Sequence, residues 1–169
     1  MLPRALLLVA LAALAGCGGA SGGGAPAGCA GPALAGAFAV VPHSAGAGNI
    51  VYRLRLTNQS DAPCFVSGLP VVQLLDAQGG KLPTNVSPAH PGTATAVRVD
   101  LAPGDAAAAD ARFSPDIPGG SEPTDAPCEP KASTLRVTIG DGTVDAPVDP
   151  PTPVCERGSL NFSNFTAAQ

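Results

Sequence analysis

Proline limits this chain more than any other residue. Nineteen prolines and 21 glycines are spread through 169 residues. A proline inside a helix removes a backbone hydrogen bond and clashes with the preceding turn. Glu, Lys, Gln and Arg, which normally sustain helices, are scarce, and charged residues make up only 13%. The chain is therefore expected to use short extended segments separated by turns. Its formal net charge of -4 supplies no basic face for a phosphate backbone, which argues against nucleic-acid binding.

The clearest segment is 50–57, IVYRLRLT. Ile50, Tyr52, Leu54 and Leu56 point one way; Val51, Arg53, Arg55 and Thr57 point the other. Strict alternation of this kind predicts a strand with one buried and one wet face. The arginines then stand on the solvent face and keep it soluble. Tyr52 belongs to the core. Residues 35–41 form a weaker strand. Phe65-Val66 and Val71 to Leu75 read as one strand interrupted by Ser67-Gly68-Leu69-Pro70. Residues 94–101 alternate again, with Val97, Val99 and Leu101 on one face. Ala106 to Phe113 contains four consecutive alanines, which suit a helix by propensity. Eight residues are marginal for a helix, and the neighbouring segments are extended, so a strand is expected. Ser114 to Pro127 is a loop. Leu135, Val137 and Ile139 alternate, Asp141-Gly142 marks a hairpin turn, and 143–148 returns. Leu160 to Phe165 closes the chain. About eight to ten short strands with Gly/Pro turns predict an antiparallel β-sandwich.

The N-terminus reads as an address. Met1-Leu2-Pro3-Arg4 is short and positive, and 5–13 is an unbroken apolar run. This is a secretory signal pattern, and the run falls short of the ~20 residues of a transmembrane helix. Leu14-Ala15-Gly16-Cys17 matches the lipobox of bacterial lipoproteins at every position. Residues 1–16 are thus expected to be a signal peptide and Cys17 the lipidated residue. Loss of Arg4 takes the net charge from -4 to -5. Residues 17–28, rich in Gly, read as the acylated cysteine and a flexible tether, reaching at most ~35–40 Å. Two acyl chains suffice for stable attachment. Residues 29–169 form the folded domain.

Four cysteines remain: Cys29, Cys64, Cys128 and Cys155. An even number in an exported chain predicts two disulfides. Cys29 precedes the first strand and Cys64 follows the second, so an antiparallel hairpin brings them to one end. Cys128 and Cys155 flank the later hairpin in the same way. The expected pairs are Cys29–Cys64 and Cys128–Cys155. No CxxC spacing occurs, and neither histidine lies near a cysteine in sequence, so no metal or other cofactor is expected.

Several residues in order carry a family resemblance. Leu54-x-Leu56-x-Asn58-x-Ser60 is followed by Cys64, then Gly68-x-Pro70-x-Val72-x-Leu74, Asp76 and Gly79. Leu101-Ala102-Pro103-Gly104, Cys128-x-Pro130, Leu135-x-Val137 and Cys155 complete the set. Over residues 29–165 the chain resembles a domain-of-unknown-function family, number 4232, common in actinobacterial lipoproteins and secreted proteins. The resemblance implies an Ig-like β-sandwich outside the cytoplasmic membrane, and it implies no activity. Gly68-x-Pro70 is expected to be a kink between strands, and Asn58 a turn-forming side chain.

No catalytic constellation emerges. His43 and His90 sit in expected loops beside prolines, and there is no Gly-x-Ser-x-Gly elbow. A blue-copper site needs two His, a free Cys and usually a Met, and the only Met is Met1, which is expected to leave with the signal. Asp61, Asp76, Asp105, Asp116, Asp125 and Asp141 fall in turns, where solvation explains them. Asp141, Asp145 and Asp149 lack the order of an EF-hand loop. The sequons at Asn161 and Asn164 are read as coincidental. The expectation is a non-enzymatic, lipid-anchored binding module on the outer face of the cell membrane. Its partner would be an envelope protein or a cell-wall component. The alternative is an envelope enzyme or accessory subunit, a hydrolase with a carboxylate site.

Overall fold

The computed structural model describes residues 25–92 and 96–168. The expected signal peptide, Cys17 and most of the tether lie outside those residues. Twelve strands follow in order: β1 (Ala27–Gly28), β2 (Leu34–Val40), β3 (Ile50–Asn58), β4 (Cys64–Ser67), β5 (Val71–Leu75) and β6 (Asn85–Pro88). After these come β7 (Arg98–Leu101), β8 (Ala106–Phe113), β9 (Ala132–Ile139), β10 (Gly142–Thr152), β11 (Ser159–Phe162) and β12 (Thr166–Ala167). The all-β expectation holds.

Alternation in β3 decides the core. Tyr52, Leu54, Leu56 and Asn58 are buried while Arg53 and Arg55 are exposed. Phe38 on β2 stacks against Tyr52 at 5.2 Å between ring centroids, and Tyr52 against Phe113 at 5.2 Å. Such pairs add to the burial of area itself. The alanine-rich segment is strand β8, paired with β3 along its whole length. Ala111, Ala109 and Ala107 lie opposite Tyr52, Leu54 and Leu56. Small residues facing large ones let the layer fill without overpacking. Propensity for helix loses to this fit.

The sheet connectivity corrects the expected Ig-like antiparallel sandwich: the sheets are mixed and not strictly Ig-like. One sheet runs β1-β4-β7. The other runs β5-β9-β10-β2-β3-β8-β11-β6, with β12 beside β8, and is barrel-like. Three pairings are parallel: β1 with β4, β10 with β2, and β11 with β6. The expected single strand across 65–75 is two strands in different sheets. Gly68, at φ 79°, makes the crossing between them, in a left-handed conformation that glycine adopts without steric cost. Its carbonyl accepts the Phe165 N–H at 3.0 Å. Val97 departs from the expected face: it lies before β7 and is 60% exposed. Residues 94 and 95 of that expected strand are outside the described residues.

Both disulfides form as expected. Cys29 and Cys64 have Cα atoms 4.8 Å apart, and Cys128 and Cys155 5.4 Å. The first sits at the end of the β2–β3 hairpin, where Leu34 pairs with Asn58. The second sits at the open end of the β9–β10 hairpin.

Candidate functional site

The outer faces of β3 and β8 carry the most chemically distinct surface. Arg53 donates from Nε and Nη2 to the two carboxylate oxygens of Asp110, at 2.7 and 2.9 Å. The two residues are directly opposite each other in the β3–β8 register. That carboxylate raises the Arg53 pKa above its ordinary value. The pair is half-exposed, at 54% and 41%, so it contributes about 0–1 kcal/mol and acts mainly to fix the guanidinium. Asp110 is itself held: its N–H donates to Ser163 Oγ at 2.9 Å.

Arg55 stands one step along the same face. Its register partners are Ala37 on β2 and Ala108 on β8. Neither side chain offers an acceptor, and the Arg55 guanidinium has no hydrogen bond or ion pair to any described residue. A depression of about 350 Å³ opens beside it, bordered by Arg53, Asp110, Ser163 and Thr166 over Ala108. The alternation of 50–57 correctly places both arginines on the wet face. It does not reveal Asp110, Ser163 or Thr166, which only the long-range register of β8 and the chain after β11 brings there.

A second concave surface, of about 270 Å³, lies between the two sheets. It is lined by Phe65, Leu69, Val71, Ile139 and Phe165 among others. The Arg98 guanidinium covers Phe65 at 3.9 Å from the ring centroid.

The other expected residues are dispersed. Cys29, Cys64, Cys128 and Cys155 are all held in disulfides. Tyr52 is core, and its hydroxyl donates to the Pro150 carbonyl at 2.8 Å. Burial pushes its pKa up. Asn58, 1% exposed, forms the expected turn: Oδ1 accepts the Ser60 N–H at 3.0 Å, while Nδ2 donates to the Ala62 and Leu101 carbonyls. His43 and His90 are exposed outside the strands.

The carboxylates weighed for catalysis do not converge. Asp145 pairs with Arg136 at 2.7 Å, and that hydrogen bond lowers its pKa. Asp76 accepts N–H groups of its own turn from Gln78 and Gly80. Asp61, Asp116, Asp125 and Asp141 are exposed. Glu122 accepts backbone N–H groups of Arg157, Gly119 and Glu156, which hold its pKa below the usual range. Among the described residues, one group of three metal-type donors comes together: Glu122 with Cys128 and Cys155. Both sulfurs are bonded to each other, so neither offers a thiolate.

The family model described as Domain of unknown function (DUF4232) matches residues 29–166, and the chain belongs to that family. No curated protein and no solved structure matches the chain.

Proposed function

We propose that this member of the family is a lipid-anchored binding module on the outer face of a bacterial cell membrane. The observation that carries the reading is the disposition of the cysteines. All four in the domain are consumed in two disulfides, which are typical of oxidising compartments outside the cytoplasm. The fifth, Cys17, stands at the end of a lipobox and a signal-like segment. A rigid disulfide-braced domain on a Gly-rich tether suits capture of an envelope protein or a cell-wall component, and the reading assigns it no catalysis. Fractionation with crosslinking in intact cells tests it. The chain should partition with membranes, resist high salt, leave with detergent, and yield discrete crosslinked adducts. Cys17→Ala should lose the membrane association. Release of the wild-type chain by salt alone would overturn the anchor, and turnover of an envelope substrate by the purified protein would overturn the non-enzymatic role.

A further inference from the structure

We propose that Arg55, with Arg53 beside it, is a binding site for a single carboxylate presented by an acidic peptide segment of the partner. The inference rests on the binding-module reading and names the chemistry of what is bound. Three cross-strand positions carry it. Arg53 lies opposite Asp110, and Arg136 opposite Asp145, and each makes a two-bond guanidinium–carboxylate pair. Arg55 occupies the same kind of position opposite Ala108. The arginine of the pair is present and its carboxylate is not. The small alanine leaves the depression of about 350 Å³ where that carboxylate would lie.

The surroundings fit an external carboxylate. Arg55 offers a planar fork that matches two carboxylate oxygens. Arg53 uses Nε and Nη2 on Asp110, which leaves Nη1 for a ligand oxygen. Ala108 and Ala167 supply apolar contact for the methylene stem of a Glu or Asp side chain. Arg112, on the same face of β8 as Asp110, adds a third positive charge to this side. The chain as a whole is acidic, at -4, so the positive charge of Arg53, Arg55 and Arg112 is a local feature of this face.

The test follows the Arg55 Nε–H resonance in the purified full chain with both disulfides intact. The probes are N-acetylglutamate amide and inorganic phosphate at matched ionic strength. A saturable shift with the glutamate probe is expected. Arg55→Gln, and Arg55→Lys, which keeps the charge but loses the fork, should each weaken binding at least about tenfold. Both variants are followed through the Arg53 Nε–H. Asp110→Asn leaves Arg53 at most one acceptor oxygen in place of two and removes a nearby negative charge, so it should tighten binding by about threefold or more. Asp145→Asn changes the net charge equally but acts on Arg136 instead, and should leave affinity within about twofold. A non-saturable shift, equal tightening by Asp110→Asn and Asp145→Asn, full retention in Arg55→Lys, or tighter binding of phosphate than of the glutamate probe would each overturn the site. None of these outcomes bears on membrane partition or crosslinking, so failure of the site and failure of the anchored-module reading are separable.

Discussion

Replacing both Cys29 and Cys64 with alanine should cost about 4 kcal/mol. The pair closes a loop with a sequence separation of 35 residues. In the chain-entropy model, a loop of that length removes about 13 cal/mol/K from the unfolded ensemble, or about 3.8 kcal/mol at 25 °C. Native domains are stable by about 5–15 kcal/mol, so the cross-link is a large share of the total. For a domain near 150 residues the loss corresponds to a fall in Tm of about 10–15 °C. Urea unfolding of the double variant beside the oxidised wild type is the assay. The cross-link acts on the unfolded state, so the m-value should rise as the freed chain expands. The Cys128–Cys155 loop, with a separation of 27, should give a slightly smaller loss of about 3.5 kcal/mol. If Cys29→Ala/Cys64→Ala costs under about 1 kcal/mol, with an unchanged m-value, the loop-entropy argument is refuted.

Three further expectations concern single residues. Asn58→Ala removes a buried side chain that serves the Leu101 carbonyl and the 58–62 turn together, and should cost about 2–4 kcal/mol by chemical denaturation. Tyr52→Phe loses the bond to the Pro150 carbonyl and should cost about 1 kcal/mol. The folded pKa of Tyr52 is raised above its unfolded value near 10, so its contribution is present below pH ~10 and is lost as pH rises through the folded pKa. The Phe variant should lack that alkaline decline, which denaturation between pH 8 and about 11 will show. Gly158 has φ 74°, and an added Cβ would lie 1.9 Å from the Pro83 carbonyl oxygen, so Gly158→Ala should give little folded protein in a thermal melt.

Legibility differed by physical cause. The strand at 50–57 was readable because burial of one face imposes period two on the residue types. The disulfide pairing was readable because hairpin topology brings Cys29 to Cys64 and Cys128 to Cys155. The strand at Ala106–Phe113 was readable only from context, since alanine carries no strand signal and its role is to lie opposite Tyr52, Leu54 and Leu56. The break at Gly68 was visible, but not that 64–67 and 71–75 enter different sheets. Strand β6 gave no signal: it is four residues long, ends at Pro88 and gains its place from parallel pairing with β11. The Arg55 site had a readable half. Its outward direction followed from alternation, while the missing carboxylate opposite it depends on which residue of β8 faces Arg55. That is a register across more than fifty residues of chain, which local pattern does not encode.

The central proposal is an oxidised domain held to a membrane through acylated Cys17. The intact mass of the native protein, extracted from membranes in detergent without reducing agent, tests this most directly. The expected result is the mass of residues 17–169 plus acyl chains, less four hydrogens for the two disulfides. An unacylated secreted species, or a mass that retains the four thiol hydrogens, would contradict it.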